Sequence, residues 1–405
     1  QRESATGRSA PISADVVHGA TMRQAAKTSS APLQRALLPL LLLSIAAASI
    51  TIPTDDARGP IVASSVEDAF AQYVSRYNKS YEPGTSEYER RFVAFRDSLG
   101  RIERKSRSST DTAHYGLTRF SDFTPDEFRR DVLSPRLPPV GAAALDLDDI
   151  VRQLFPDLAL GDDNDISPLV RPASKPAINA ASRPGSRYPD HFDWRNRSVV
   201  TAVKNQLNCG ACWAISTVEN VESMYAIATG KLMEFSVQQM VDCSNNSNHG
   251  CNGGDTCAAM QWLRDNRIHL VTESAYPFTA STGSCRHPAS DVTAELVDYT
   301  CQKLVGNEEL MLDLIANVGP LATAVDATAW QDYLGGIIRY HCDAGRNHAV
   351  QVVGYDLRGD VPYYIVRNSW GPDYGHGGYL YIAVGKNLCG IAEEVSTVTV
   401  KKPAG

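Results

Sequence analysis

Apolar side chains recur along this chain with two distinct periods. Phe70, Tyr73, Val74 and Tyr77 stand at i, i+3, i+4 and i+7, and Tyr88, Phe92, Phe95, Leu99 and Ile102 follow at steps of four and three. Each set covers one face of a helix, because residues three and four apart stack on the same side. Ser64 with Glu67 reads as a capping box for the first helix, and Ser86 with Glu89 marks the start of the second. A third helix is predicted over 216–229, closed by Gly230. Beyond it the pattern shifts to alternation or short apolar runs between Gly, Pro and Asp turns, so Leu321–Val325, 349–355, 363–366 and 379–384 read as strands. No internal repeat is present.

Two segments fit neither period. Met22 is followed by Arg23, Lys27 and Arg35, then an apolar run over 36–43 and the small triplet Ala46-Ala47-Ala48. That is the layout of a secretory signal peptide, and the run is shorter than the ~20 apolar residues a membrane span needs. Residues 1–21 read as an upstream extension. Residues 131–186 are proline-rich, with seven aspartates between Asp146 and Asp165 and a basic end at Arg171, Lys175 and Arg183. Such a segment is a linker exposed to proteases. The expected organisation is therefore 1–48 extension and signal peptide, 49–130 helical unit, 131–186 linker, and 187–405 main globular domain.

Composition narrows the function. With 405 residues, 43% hydrophobic and 21% charged, the chain is globular in character. The net charge of −7 falls entirely after residue 185, which argues against a nucleic-acid partner. Nine cysteines all lie at or beyond Cys209. They imply disulfides in an oxidising compartment, a metal site, or a reactive thiol.

The sharpest motif is Gln206-Leu-Asn-Cys209-Gly-Ala-Cys212-Trp213. A CxxC redox pair needs a small βαβ unit, and none surrounds it. A zinc site needs a second tight Cys/His pair, which is missing. A nucleophilic cysteine at a helix N-terminus needs a base, an orienter and an oxyanion donor. Candidates for each stand in the chain: His348 in Asn347-His348-Ala349, Asn368 in Asn368-Ser369-Trp370-Gly371, and Gln206 six residues before Cys212.

In these motifs, in this order and spacing, the chain resembles the papain family of cysteine peptidases. The resemblance implies an α+β, papain-like two-domain fold, a helical left domain and a β-barrel-like right domain, preceded by a helical inhibitory prodomain. It implies a secreted or lysosomal cysteine endopeptidase zymogen that hydrolyses peptide bonds. Cys212 would be the nucleophile, His348 the base, Asn368 its orienter, Trp370 the shield of that pair, and Gln206 part of the oxyanion hole. The chemistry needs no metal and no cofactor. Cys251-Asn252-Gly253-Gly254 matches the glycine strip on which substrate backbone lies. Ala324 and Glu394 would line the S2 pocket, Glu394 at its floor as a partner for an Arg side chain. The alternatives for Glu394 are a solvent-facing side chain, or a one-residue slip that puts Glu393 there.

The prosegment pattern matches at Glu87, Arg91, Phe95 and Ile102, with Ser98 and Ser106 where the family has Asn. It continues at Gly116, Phe120 and Asp122, with Thr118 replacing Asn. By family position Cys209 pairs with Cys251, Cys243 with Cys285, and Cys342 with Cys389. Cys212 stays free, and Cys257 and Cys301 are left over, expected as buried free thiols with a fourth bridge as the alternative. Asn78, Asn196 and Asn245 lie in Asn-x-Ser sequons, candidate N-glycosylation sites. The partners implied are protein and peptide substrates, the chain's own propeptide as inhibitor and cystatin-type inhibitors, with no nucleic acid or membrane and a monomeric state.

Overall fold

The computed structural model describes residues 49–107, 112–134, 188–342 and 345–401. The predicted signal peptide and nearly all of the 131–186 linker lie outside the described residues. Among the described residues no helix is long and apolar enough to cross a membrane.

The two N-terminal helices form where the stripes predict, as α1 (Val66–Arg76) and α2 (Ser86–Ser106). Their caps fall one residue away from the expected serines. Ser65, extended in backbone, accepts the Asp68 N–H, and Thr85 accepts that of Tyr88. The two stripes face each other: the Phe70 ring lies 4.9 Å from Tyr88, 5.3 Å from Phe92 and 5.1 Å from Phe95. Asp122 knits this unit together, accepting hydrogen bonds from Tyr73 Oη, Lys79 Nζ and Tyr81 Oη. A ribbon of β1 (Ile50–Ile52) and β2 (Ile61–Ala63), the short β3 (His114–Tyr115) and α3 (Pro125–Asp131) complete it. The last helix carries a full Thr124–Glu127 capping box with proline at its start.

The main domain has a helical half and a β-rich half. Helix α4 (Cys212–Thr229) is buried on nearly all sides, as an interior helix must be when its apolar residues are not confined to one stripe. Gly230, at φ 73°, ends it. Helices α5 (Val237–Cys243) and α6 (Thr256–Asp265) join it around one apolar cluster with Trp213, Phe235, Met240 and Met260.

The strands are β4 (His191–Asp193), β5 (His269–Val271), β6 (Thr293–Gln302), β7 (Leu321–Val325), β8 (Tyr333–Gly335), β9 (Ile337–Ile338), β10 (His348–Asp356), β11 (Tyr363–Arg367), β12 (Tyr379–Ala383) and β13 (Val395–Val400), with α7 (Glu308–Asn317) between β6 and β7. The main sheet runs β5-β6-β13-β7-β10-β11-β12-β9, with β4 added to β10. The path is open, so the β-rich half is mixed α and β without a closed barrel. The helical prosegment shares its apolar cluster with this half: Leu117, Phe120 and Phe128 belong with Trp330, Tyr333 and Trp370.

Four disulfides are present among the described residues. Three join Cys209 to Cys251, Cys243 to Cys285 and Cys342 to Cys389. The fourth, Cys257 to Cys301, corrects the expectation of free thiols. It ties the first turn of α6 to β6, a contact that only the packing of helix on strand creates. Such a link is worth about 2–4 kcal/mol.

Candidate active site

Cys212 opens α4, and Ala211 before it offers no side-chain cap. The first-turn N–H groups and the positive helix end therefore act on the sulfur, which favours the thiolate. Among the described residues Cys212 is the one cysteine outside a bridge. Burial by itself would push its thiol up. The charge of His348 and hydrogen bonds from His348, Ser134 and the Ala349 backbone outweigh that, and the thiol lies below its ordinary value.

His348 begins β10, which register with β7 places in the sheet centre opposite Val325. Its Nε2 donates to Asn368 Oδ1 at 2.7 Å. Asn368 follows β11, the antiparallel neighbour of β10, so strand pairing brings together residues twenty apart in sequence. The His348 ring is covered on one side by Trp370, 5.0 Å away, and met edge-on by Trp330 at 6.0 Å. The sequence motif marks Trp370 for this role. The sequence gives Trp330 no role, and the packing brings it here.

Gln206 Nε2 donates to the Val132 carbonyl at 2.8 Å and to that of Cys209 at 3.1 Å. Its Oε1 accepts from Ser369 Oγ at 2.7 Å, which fixes the amide orientation. A tail, residues 132–134 at the start of the segment expected as linker, thus lies in the cleft. Ser134 N donates to Asn347 O at 2.7 Å, and Ser134 Oγ sits 3.3 Å from the Cys212 sulfur.

Beside the thiol lies a cavity of about 30 Å³, lined by Ser134, Gly254, Ala324, Ala349, Glu394 and others. A Cβ on Gly254 would come within 2.5 Å of Trp213, so no larger residue fits there. Gly253, at φ 106°, precedes it and does not line this cavity. Glu394 reaches the cavity, whereas Glu393 turns to Lys303 at 2.7 Å. Glu394 is not a free carboxylate, however: it accepts from Thr256 Oγ1 at 3.1 Å and is paired with Arg346. Burial and the neighbouring Asp255 push it up to about 7. The Asp255 and Glu394 oxygens and the Cys257 sulfur lie within 4.8 Å of one another, but that sulfur is bound to Cys301 and is no thiolate ligand. Asn78, Asn196 and Asn245 are all exposed.

Residues 188–399 match the family described as papain family cysteine protease, and residues 70–128 match the cathepsin propeptide inhibitor domain (I29). Cathepsin O of Homo sapiens is 39% identical over 320 residues, covering 77% of this chain and 88% of its own length. Cysteine proteinase 1 of Zea mays is 33% identical, over 89% of this chain and 97% of its own. Among solved structures, digestive procathepsin L2 from Tenebrio molitor superposes with a TM-score of 0.66 at 31% identity, over 83% of this chain and all of that one.

Proposed function

Because the chain belongs to the papain family of cysteine proteases and carries that family's I29 propeptide ahead of its peptidase domain, we propose that it is the zymogen of a cysteine endopeptidase whose reacting pair is Cys212 and His348, oriented by Asn368. The observation that carries the residue assignment is the thiol at an uncapped helix N-terminus beside an imidazole held at 2.7 Å by Asn368.

In the mechanism the Cys212 thiolate attacks the carbonyl carbon of the scissile peptide. The electron pair moves onto oxygen, where the Gln206 side-chain N–H and the Cys212 backbone N–H receive it. The tetrahedral intermediate then expels the amine, which takes a proton from the His348 imidazolium. A thioester remains. Water, losing a proton to His348, adds to it, and the thiolate leaves with the carboxylic acid released. The Val132 carbonyl on Gln206 occupies the place a substrate oxygen would take, so the tail blocks the same donor the reaction uses.

The proposed processing order follows the chain: 1–48 removed as extension and signal peptide, 49–130 the inhibitor, 131–186 the cleavage zone, 187–405 the mature enzyme. No insertion after Cys243 is large enough to close one end of the cleft, which favours an endopeptidase. Four bridges suit the secretory pathway, with a lysosomal or extracellular destination and cystatin-type inhibitors as partners of a monomeric enzyme. Labelling of the activated full-length protein with an epoxide thiol inhibitor, mapped by mass spectrometry, should mark Cys212 alone. Cys212→Ala should fold and show no hydrolysis of a peptide amide. Retained turnover in that variant would remove the nucleophile assignment.

A further inference from the structure

Three charged side chains meet at the cavity beside Cys212: Asp255, Glu394 and Arg346. We infer that Arg346 sets the substrate specificity, by pairing with Glu394 beside Asp255, so that the pocket refuses Lys and Arg side chains and takes neutral apolar ones. The inference rests on the peptidase reading above, and it replaces the expectation that Glu394 receives a substrate Arg.

A carboxylate recognises a guanidinium when its lone pairs are free to accept. Here Glu394 Oε2 already accepts from Arg346 Nη1, and its Oε1 accepts from Thr256. Asp255 caps α6, its Oδ1 accepting from the Ala258 N–H at 2.8 Å, and feels the Arg346 charge as well. A second guanidinium would meet Arg346 as a like charge in a largely buried place, where desolvation is not repaid. Arg346 cannot swing away at no cost. It stands two residues before His348, and the neighbouring Asn347 is tied down by hydrogen bonds to Asp326 and Ala327. Its side chain is 18% exposed and that of Glu394 is 7% exposed, so the cation lies on the outer side of the acid. In the zymogen Ser134 lines one side of this cavity, and Gly254, Ala324 and Ala349 give the rest of the wall its apolar character.

The test uses the full chain, expressed as zymogen and activated, on a peptide series that varies only the residue entering this pocket, expected two places before the cut. Wild type should cleave the Leu and Val members and turn over the Arg member at least roughly tenfold more slowly. Arg346→Ala leaves two carboxylates facing an emptied volume, and its Arg/Leu ratio of kcat/KM should rise by roughly 10², the scale on which buried charge pairs discriminate. Arg346→Lys, which keeps the charge, should keep the exclusion. Glu394→Gln leaves Arg346 in place, and its ratio should stay at the wild-type level; this variant carries the test if Arg346→Ala fails to mature. Wild-type cleavage of Arg and Leu members at equal rates would overturn the inference. So would a ratio that falls in Glu394→Gln, or one unchanged in Arg346→Ala while Leu cleavage stays robust. Failure of the wild type to cleave any member would strike the peptidase reading instead.

Discussion

Among the described residues the prosegment touches the peptidase domain in two places, and they are built differently. At the first, β3 pairs with β8, Gly116 N donates to Asp332 O, and Thr118 Oγ1 donates to Gln331 O. Gln331 Nε2 answers with bonds to the carbonyls of Phe120 and Phe123. The buried Asp332 carboxylate receives Arg101 at 3.1 Å and Lys105 at 3.0 Å from α2. Rings of Phe120 and Phe128 meet Trp370 edge-on at 5.3 and 5.5 Å. A Cβ on Gly116 would fall 2.5 Å from Pro53 O and from Leu334, so the strands approach as closely as glycine allows. This is a protein interior, read by side chains. At the second place, residues 132–134 cross the cleft, with Val132 and Leu133 buried in the shared apolar cluster and polar contacts through two backbone groups and one hydroxyl. The first region supplies affinity and selectivity. The second supplies obstruction. Binding and blocking are therefore separable by mutation.

The largest effect should come from Gln206, which serves the tail in the zymogen and the proposed oxyanion after activation. Gln206→Ala should lower kcat of the activated enzyme by roughly 10²–10³, measured on a peptide amide, with smaller change in KM. An unaffected kcat would confine Gln206 to holding the tail. Next, Asp332→Asn removes the negative charge that two cations share while leaving the tail intact. The loss of a buried charged partner is worth about 2 kcal/mol or more, so the zymogen should process at least about tenfold faster at neutral pH, followed as the appearance of the mature band. Equal processing rates would mean that the tail, not the docked region, controls release.

A smaller effect depends on pH and lies within the peptidase domain. Burial raises Glu219 to about 7, against Arg367 and Lys204, and Glu394 likewise. A carboxylate whose folded value exceeds its unfolded one binds protons better when folded. Its contribution is fully present below about pH 4.5 and is lost as pH rises through about 7. The Cys212→Ala protein, immune to self-digestion, should thus gain thermal stability from these two groups on going from pH 7.5 to 5. Glu219→Gln should shrink that gain, and an unchanged pH slope would contradict it. The smallest effect belongs to Ser134. Its hydroxyl contact with the thiol is worth about 1 kcal/mol or less, so Ser134→Ala should change the processing rate by less than about fivefold. A larger change would put affinity in the tail after all.

Local patterns are legible because they repeat at the spacing of one element. The stripe from Tyr88 to Ile102 needs only a 3.6-residue turn to become a face, and Gly230 needs only its own positive φ to end a helix. The Cys212, His348, Asn368 and Gln206 set is legible through its resemblance to a family, which stores in its motifs a spatial arrangement that periodicity cannot supply. The cap of α1 lies one residue beyond the serine that the pattern suggests. Adjacent serines offer the same chemistry, and only the backbone conformation chooses between them.

By itself, then, the sequence determined most of the elements and the order of propeptide and peptidase, and it nominated the reacting groups. Tertiary structure alone decided who faces whom across the packing. Arg101 and Asp332 are 231 residues apart, Arg346 and Glu394 forty-eight, and Cys257 and Cys301 forty-four. The physical reason is that an ion pair or a bridge depends on two side chains reaching one point in a low-dielectric interior, and no spacing along the chain encodes that point. The same Glu394 is a free acceptor or a satisfied one according to whether Arg346 packs beside it, and that is settled by the fold.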